Sequence, residues 1–297
     1  MKKKTIFTGA GVAIVTPMNA DGSIDFETFG KLIDFQIDNG TDCIVVCGTT
    51  GESSTMTDDE HKESIRYCVE RVNKRVPVIA GTGSNDTAYA IQLSKEAELL
   101  GADAVLVVSP YYNKTSQNGL IKHFTAIADA INIPVMLYNI PGRTGVNIAI
   151  DTFVELAKHE NIVAVKEAGG NMDYFAKIIE ACGDSLDVYS GDDGMTVPVM
   201  SIGGKGVISV LSNVMPKETH EMCQLCLDNN FAEAGKLQIK YLNLINALFC
   251  DVNPIPVKEA MALMGLCGNT LRLPLCPTSE ANLAKISAEL KANGLLK

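Results

Sequence analysis

The sequence predicts an α/β protein: a (β/α)8 TIM barrel followed by a C-terminal α-helical domain. Three observations carry that expectation. Eight short runs rich in Val and Ile recur before residue 214, and helical stretches separate them. Each run is apolar at successive positions, so both its faces are covered, as in a parallel sheet sheathed by helices. After residue 225 the strand runs stop and only helical patterns remain. The expected division is a catalytic barrel over 1–227 and a helical domain over 228–297. A doubly wound open sheet is the alternative. It usually carries a glycine-rich phosphate loop after its first strand, where this chain has "TPMNADGSID".

The runs begin with "GVAIVTP" at 11, "CIVVCGTT" at 43, "VPVIAGTG" at 76 and "AVLVVSPYY" at 104. "PVMLYNIP" at 134, "IVAVKEA" at 162, "LDVYSGDD" at 186 and "GVISVLSN" at 206 complete the set. "DDEHKESIRYCVERVNK" and "DTAYAIQLSKEAELLG" have helical character, the second stopping at Gly101. In the C-terminal part, "FAEAGKLQIKYLNLINALF", "PVKEAMALMGL" and "SEANLAKISAELKANG" predict helices, with Pro254 and Pro256 marking one start.

Composition bounds the partners. The chain of 297 residues is 46% hydrophobic and 20% charged, which suits a large soluble core. Its net charge of −10 repels nucleic-acid phosphates and anionic membrane surfaces, so neither is expected as a partner. The opening "MKKK" resembles the start of a signal peptide, but "TIFTGAGVAIVTP" is too interrupted to continue one. No apolar run is long enough to span a bilayer, and a cytoplasmic location is expected. Nine cysteines fall largely in apolar patterns, as core residues of a reducing compartment do. Cys223 and Cys226 form a single CxxC without a second pair, better explained as one helix face than as a zinc site.

In such a barrel the chemistry gathers at the C-terminal ends of the strands. There the sequence places "GTTGE", "SPYYN", "YNIPGRTG", "KEAGG" and "SGDD". No His and carboxylate cluster with metal-ligand spacing is among them, and no metal is expected. Alternation along the sixth run puts Ile162, Ala164 and Lys166 on one face and Glu167 on the other. Facing inward, Lys166 has apolar walls and no carboxylate on its own face. Desolvation then lowers its pKa, and the free amine can attack a ketone to form a Schiff base. Facing outward at the strand end, it would simply snorkel to solvent.

The other candidates also have two readings. Tyr138 is either a proton shuttle for imine formation or a core aromatic. Arg143 is either a bidentate carboxylate ligand or an exposed loop arginine. The turn at Thr49 and Thr50 either cradles an anion with its amides or simply joins strand to helix.

Taken together, "GTTGE", "PYYN", "YNIPGRTG", "VKEAGGN", "SGDD", "GVISV" and "NPIPVK", in that order, resemble the dihydrodipicolinate synthase family of pyruvate-dependent lyases. The resemblance runs from about residue 8 to the C-terminus. It implies a (β/α)8 barrel with a C-terminal helical domain, assembled as a homotetramer of two tight dimers. It implies condensation of pyruvate, held as a Lys166 imine and enamine, with L-aspartate 4-semialdehyde in the diaminopimelate route of lysine biosynthesis. The protonated imine is the electron sink, so no external cofactor is implied. Lys166, Tyr138, Thr49 and Tyr112 match the catalytic positions, with Tyr112 reaching into the partner's site. Thr50 matches a pyruvate-carboxylate contact, Ile208 a main-chain pyruvate contact, Gly191 a further substrate-binding position, and Arg143 the grip on the aldehyde substrate's carboxylate.

Two alternatives share features with this pattern. Sister lyases acting on N-acetylneuraminate or 2-keto-3-deoxy sugar acids share the lysine, the tyrosine and the threonine-containing turn, but are not expected to carry "GRTG". A non-catalytic ligand-binding barrel would not need Lys166, Tyr138, Thr49 and Tyr112 together. The resemblance also implies an effector pocket at Ser53, Ser54, Asp58, His61, Asn85, Tyr89 and Tyr111. Asp58 stands where lysine-inhibited relatives often have His, and Tyr89 where they have Glu. Weak or absent inhibition by lysine is therefore expected.

Overall fold

The structure is a computed structural model and describes residues 3–296. Met1 and Lys2, which begin the basic N-terminal run, and Lys297, the end of the expected helical domain, lie outside the described residues. Eight strands form one closed parallel barrel in sequence order. They are β1 (Gly9–Ala13), β2 (Cys43–Val46), β3 (Val78–Gly81), β4 (Ala104–Val108), β5 (Val135–Asn139), β6 (Ile162–Glu167), β7 (Asp187–Ser190) and β8 (Gly206–Ser209). The barrel closes where Gly9 of β1 pairs with Gly206 of β8. A Cβ on Gly206 would meet the Gly9 carbonyl oxygen at 1.9 Å, so this seam admits only glycine there.

The apolar runs separate into two layers, as the two-residue period of a strand requires. Ala13, Val45, Leu106, Met136 and Tyr189 fill the barrel interior. Val12, Ile44, Val105, Leu137 and Val165 face outward against helix residues such as Phe29, Phe124, Phe153 and Phe175. Phe7 stacks on Tyr189 at 4.6 Å between ring centroids, and the Tyr189 hydroxyl donates to the Phe7 carbonyl. Both rings are buried within the interior cluster.

Local signals start the helices. Asp25, Asp86, Ser116 and Asn171 each accept a first-turn amide, and Thr57 with Glu60 forms a capping box on the helix Asp58–Val72. Gly101 ends the next helical segment with φ +90°. After β8 the chain is helical: Pro216–Leu227, Phe231–Ala247, Ile255–Leu263 and Glu280–Ala292. Pro254 caps the third of these, and Pro256 sits in its first turn, where a missing amide costs nothing. Cys223 and Cys226 are buried in the first, within an apolar cluster that includes Met222 and Ala234. All nine cysteines are free thiols, six of them buried. Among the described residues, no helix is long and apolar enough to cross a membrane.

One expectation about β6 needs correction. Strict alternation predicts a shared face for Ile162, Ala164 and Lys166. Instead, pairing with β5 skips a residue, Val135 opposing Ile162 and Met136 opposing Ala164. Ile162 consequently packs in the outer layer, while Val163 and Ala164 both pack inside. The irregularity resets the phase of the strand, and Lys166 follows Ala164 into the barrel.

Candidate active site

Strand pairing assembles the centre of the site. Tyr138 at the end of β5 is the Cα partner of Lys166 on β6, and Lys166 is in turn the partner of Tyr189 on β7. The Lys166 nitrogen lies 4.4 Å from the Tyr138 ring centroid. Lys166 is only 7% exposed. Burial lowers its amine from the ordinary 10.5 to about 8; the Asp193 carboxyl partly opposes this and the Arg143 charge adds to it. Burial raises the Tyr138 phenol to about 12, against the pull of Arg143 and of a hydrogen bond with Thr49. Glu167 points to the opposite face, where its carboxylate accepts from Asn139 Nδ2 at 2.6 Å and from the Gly169 amide at 2.5 Å.

A cavity of about 390 Å³ opens above this pair, lined by Thr49, Thr50, Tyr138, Arg143, Lys166 and Gly191 among others. Gly191 is required beside the lysine: a Cβ there would lie 3.0 Å from Lys166 Cε and 2.7 Å from the Ala168 Cβ. The turn after β2 is tight, with the Gly51 and Glu52 amides donating back to the Gly48 and Thr49 carbonyls at 3.1 Å each. Thr50 is buried, and its hydroxyl oxygen accepts from Asn253 Nδ2 at 3.0 Å. Arg143 stands on a single helical turn, Pro141–Thr144, directly after β5, and donates to the Asn253 carbonyl at 3.2 Å.

Two candidates occupy other positions. Ile208 is packed inside the barrel, and Val210, two residues on, lines the cavity. Tyr112 is 91% exposed, apart from its own chain's cavity, with φ 67°, an uncommon conformation for a bulky residue. Its neighbour Tyr111 lines the cavity.

The expected effector residues cluster at the far side of the same cavity. Ser53, Ser54, His61, Tyr89 and Tyr111 line it. The Tyr89 hydroxyl donates to Asp58 Oδ1 at 2.5 Å, and Asn85 Nδ2 donates to the Tyr111 carbonyl at 3.2 Å. His61 Nε2 is 2.9 Å from the Gly81 carbonyl, so that nitrogen carries the proton, and burial lowers the imidazole pKa.

Sequence reasoning missed two polar residues at the site. Asp193, 1% exposed, accepts the Val210 and Leu211 amides with Oδ2 at 2.9 Å each, while Oδ1 is buried without a hydrogen-bond partner. Burial raises its carboxyl pKa. The second acid of "SGDD" was the available signal. Asn253 also has a buried, unpartnered Oδ1. It lies about 200 residues along the chain from Thr50, in the helical part, and no local pattern links the two.

Comparison with known proteins identifies the family. The model of the dihydrodipicolinate synthetase family matches residues 6–293. The chain is 56% identical to the 4-hydroxy-tetrahydrodipicolinate synthase of Acetivibrio thermocellus over 294 residues, 99% of this chain and 100% of that one. It superimposes on the chloride-inhibited dihydrodipicolinate synthase of Acinetobacter baumannii, solved with pyruvate, with TM-score 0.97 and 46% identity over 98% of this chain and 100% of that one. A structure described as the first monomeric dihydrodipicolinate synthase variant is similar at TM-score 0.96 and 41% identity, over 98% of each chain. With the match extending over nearly every described residue, the chain belongs to the dihydrodipicolinate synthetase family.

Proposed function

We propose that this cavity joins pyruvate to L-aspartate 4-semialdehyde through an imine on Lys166. The activity is that of 4-hydroxy-tetrahydrodipicolinate synthase, a Schiff-base-forming lyase of the diaminopimelate route to lysine. The Lys166 amine attacks the keto carbon of pyruvate, and water leaves from the carbinolamine. The protonated imine acidifies the methyl group, which gives up a proton to the Tyr138 relay and leaves an enamine. Its terminal carbon attacks the aldehyde of the second substrate. Ring closure by that substrate's amino group displaces Lys166 and releases the heterocycle. The imine itself is the electron sink, so the scheme draws on no external cofactor.

The observation that carries this reading is the Lys166–Tyr138 pair. A buried amine lowered to about 8 is directly beside a phenol raised to about 12. Tyr138 acts as proton donor and acceptor, and Thr49 connects it to the relay. Tyr112, exposed on its own chain, completes the relay of a second copy. Thr50, Gly191 and the main chain at Ile208 surround the pyruvate end, and Arg143 holds the semialdehyde carboxylate. A homotetramer built from two tight dimers supplies the Tyr112 partner. We take the barrel to end at 227 and the helical domain to begin at 228, and the enzyme to work in the cytoplasm.

The test is borohydride reduction in the presence of pyruvate. The expected result is inactivation with a reduced adduct on Lys166, lost in Lys166→Ala. An adduct on a different lysine would refute the assignment.

A further inference from the structure

We propose that Glu52 and Lys258 form a buried positioning pair that fixes the Thr49–Thr50 turn, so that this pair, outside the cavity lining, sets pyruvate binding without touching the substrate. Glu52 closes the turn in a left-handed conformation, φ 56° and ψ 32°. A residue with a side chain adopts that backbone at a cost and needs its surroundings to hold it there. Both carboxylate oxygens are held. Oε1 accepts from Lys258 Nζ at 2.6 Å, and Oε2 accepts from the Arg272 amide at 3.3 Å.

Both side chains of the pair are fully buried, at 0% exposure each. Lys258 Nζ also donates to the Thr270 carbonyl at 2.6 Å. The lysine thus joins the turn after β2 to a loop near the C-terminus. The hold reaches the substrate end in two ways. The Glu52 amide donates to the Thr49 carbonyl at 3.1 Å, so the turn hangs from Glu52 itself. Asn253, at the entry to the helix that carries Lys258, donates to the Thr50 hydroxyl at 3.0 Å. One short stretch, 253–258, therefore grips the turn at two adjacent points.

A buried ion pair is a poor way to gain stability, because desolvating both charges offsets their attraction and apolar residues of similar size often serve as well. What such a pair supplies is one permitted geometry. Here that geometry is the orientation of the threonines beside Lys166. The inference rests on the reading that this turn receives the pyruvate carboxylate.

The experiment compares Glu52→Gln/Lys258→Met, which removes both buried charges at similar volume, with Lys258→Arg and the unaltered enzyme. Circular dichroism fixes a temperature at which each is folded. Steady-state kinetics then separate pyruvate KM from kcat, and borohydride trapping reports imine formation on Lys166. The expected result for the double variant is a pyruvate KM raised about 10- to 100-fold, with a smaller fall in kcat and slower trapping at subsaturating pyruvate. Lys258→Arg should show a smaller rise, since its larger head keeps the charge but cannot reproduce both contacts of the ammonium. A folded double variant with unaltered KM and trapping overturns the proposal, because a merely structural pair would change only the melting temperature. If the double variant fails to fold, unaltered KM in Lys258→Arg overturns it equally. Failure of pyruvate to label Lys166 in the unaltered enzyme would instead refute the reading of the site.

Discussion

The Lys166 nitrogen sits 4.4 Å from the centre of the Tyr138 ring, on directly paired residues of adjacent strands. The same burial moves the two groups in opposite directions, the amine down to about 8 and the phenol up to about 12. Between those values the lysine is a free nucleophile while the tyrosine still holds its proton. One shared environment therefore separates nucleophile from acid.

Imine formation should follow the titration of Lys166. With the amine at about 8, about 10% is unprotonated at pH 7, against about 0.03% for an ordinary lysine at 10.5. The rate of borohydride trapping at fixed pyruvate should rise close to tenfold per pH unit below 8 and level off above it. A profile still rising steeply near pH 10 would show an unperturbed lysine.

The same shift has a stability consequence. A folded-state pKa below the unfolded value means that the unfolded chain binds more protons between about 8 and 10.5, so stability rises with pH through that window. Below it the buried amine costs about 3 kcal/mol, from a shift of about 2.5 units at 1.36 kcal/mol each. Lys166→Met should therefore be inactive and more stable than the parent at pH 7 by up to that amount. The difference should fade toward pH 10.5. Chemical denaturation of both proteins across this range measures it, and a destabilised Lys166→Met at pH 7 would contradict it.

Arg143→Ala should lower kcat/KM for the semialdehyde roughly 10- to 100-fold, the cost of losing a charge-assisted contact of about 1.5–3 kcal/mol. Trapping with pyruvate should survive. Because the Arg143 charge helps lower the Lys166 pKa, its loss should also move the trapping profile toward higher pH. Abolished imine formation with semialdehyde binding intact would reverse the assigned role.

Tyr112 should be needed only across an interface. Its exposure of 91% leaves it outside its own cavity, so activity should fall with Tyr112→Phe and equally when the tight dimer is dissociated. Mixing Tyr112→Phe with inactive Lys166→Ala subunits should restore activity in the hybrids. Full activity from a folded monomer would contradict a shared site.

Lysine should inhibit weakly or not at all. Asp58 does not stand free to replace a missing acid at position 89: its Oδ1 is occupied by the Tyr89 hydroxyl at 2.5 Å. A ligand ammonium seeking that carboxylate must compete with the phenol. Initial rates at subsaturating pyruvate should be nearly independent of micromolar lysine, and Tyr89→Glu should introduce inhibition. Strong inhibition of the unmodified enzyme would overturn this account of the pocket.

The barrel was legible because its strands are buried on both faces, which leaves continuous Val and Ile runs at regular spacing. Lys166 and Tyr138 were legible because each ends such a run on neighbouring strands. The phase of β6 was not, since pairing irregularities depend on two strands meeting and leave no mark on one of them. Asn253 and Lys258 were equally hidden as site-building residues. Their contacts with Thr50 and Glu52 span 203 and 206 residues of chain, and periodicity carries no information at that distance. Asp193 lay within a quoted motif, but its influence on Lys166 follows from burial, which composition does not give.

The skipped residue on β6 also bears on how this enzyme can change over generations. Removing Val163 would restore regular pairing and leave Lys166 opposite Tyr138, whereas removing Val165, beyond the irregularity, would turn every later side chain of the strand around, because the strand has a period of two. Glu167 would then point into the barrel and Lys166 into the helical layer. A deletion of a single codon, leaving the composition nearly untouched and the apolar run intact, would thus exchange a nucleophile for an acid. Lineages of this fold should accept insertions and deletions in the loops far more readily than between the irregularity and Lys166, a stretch that keeps the reading frame of the chemistry.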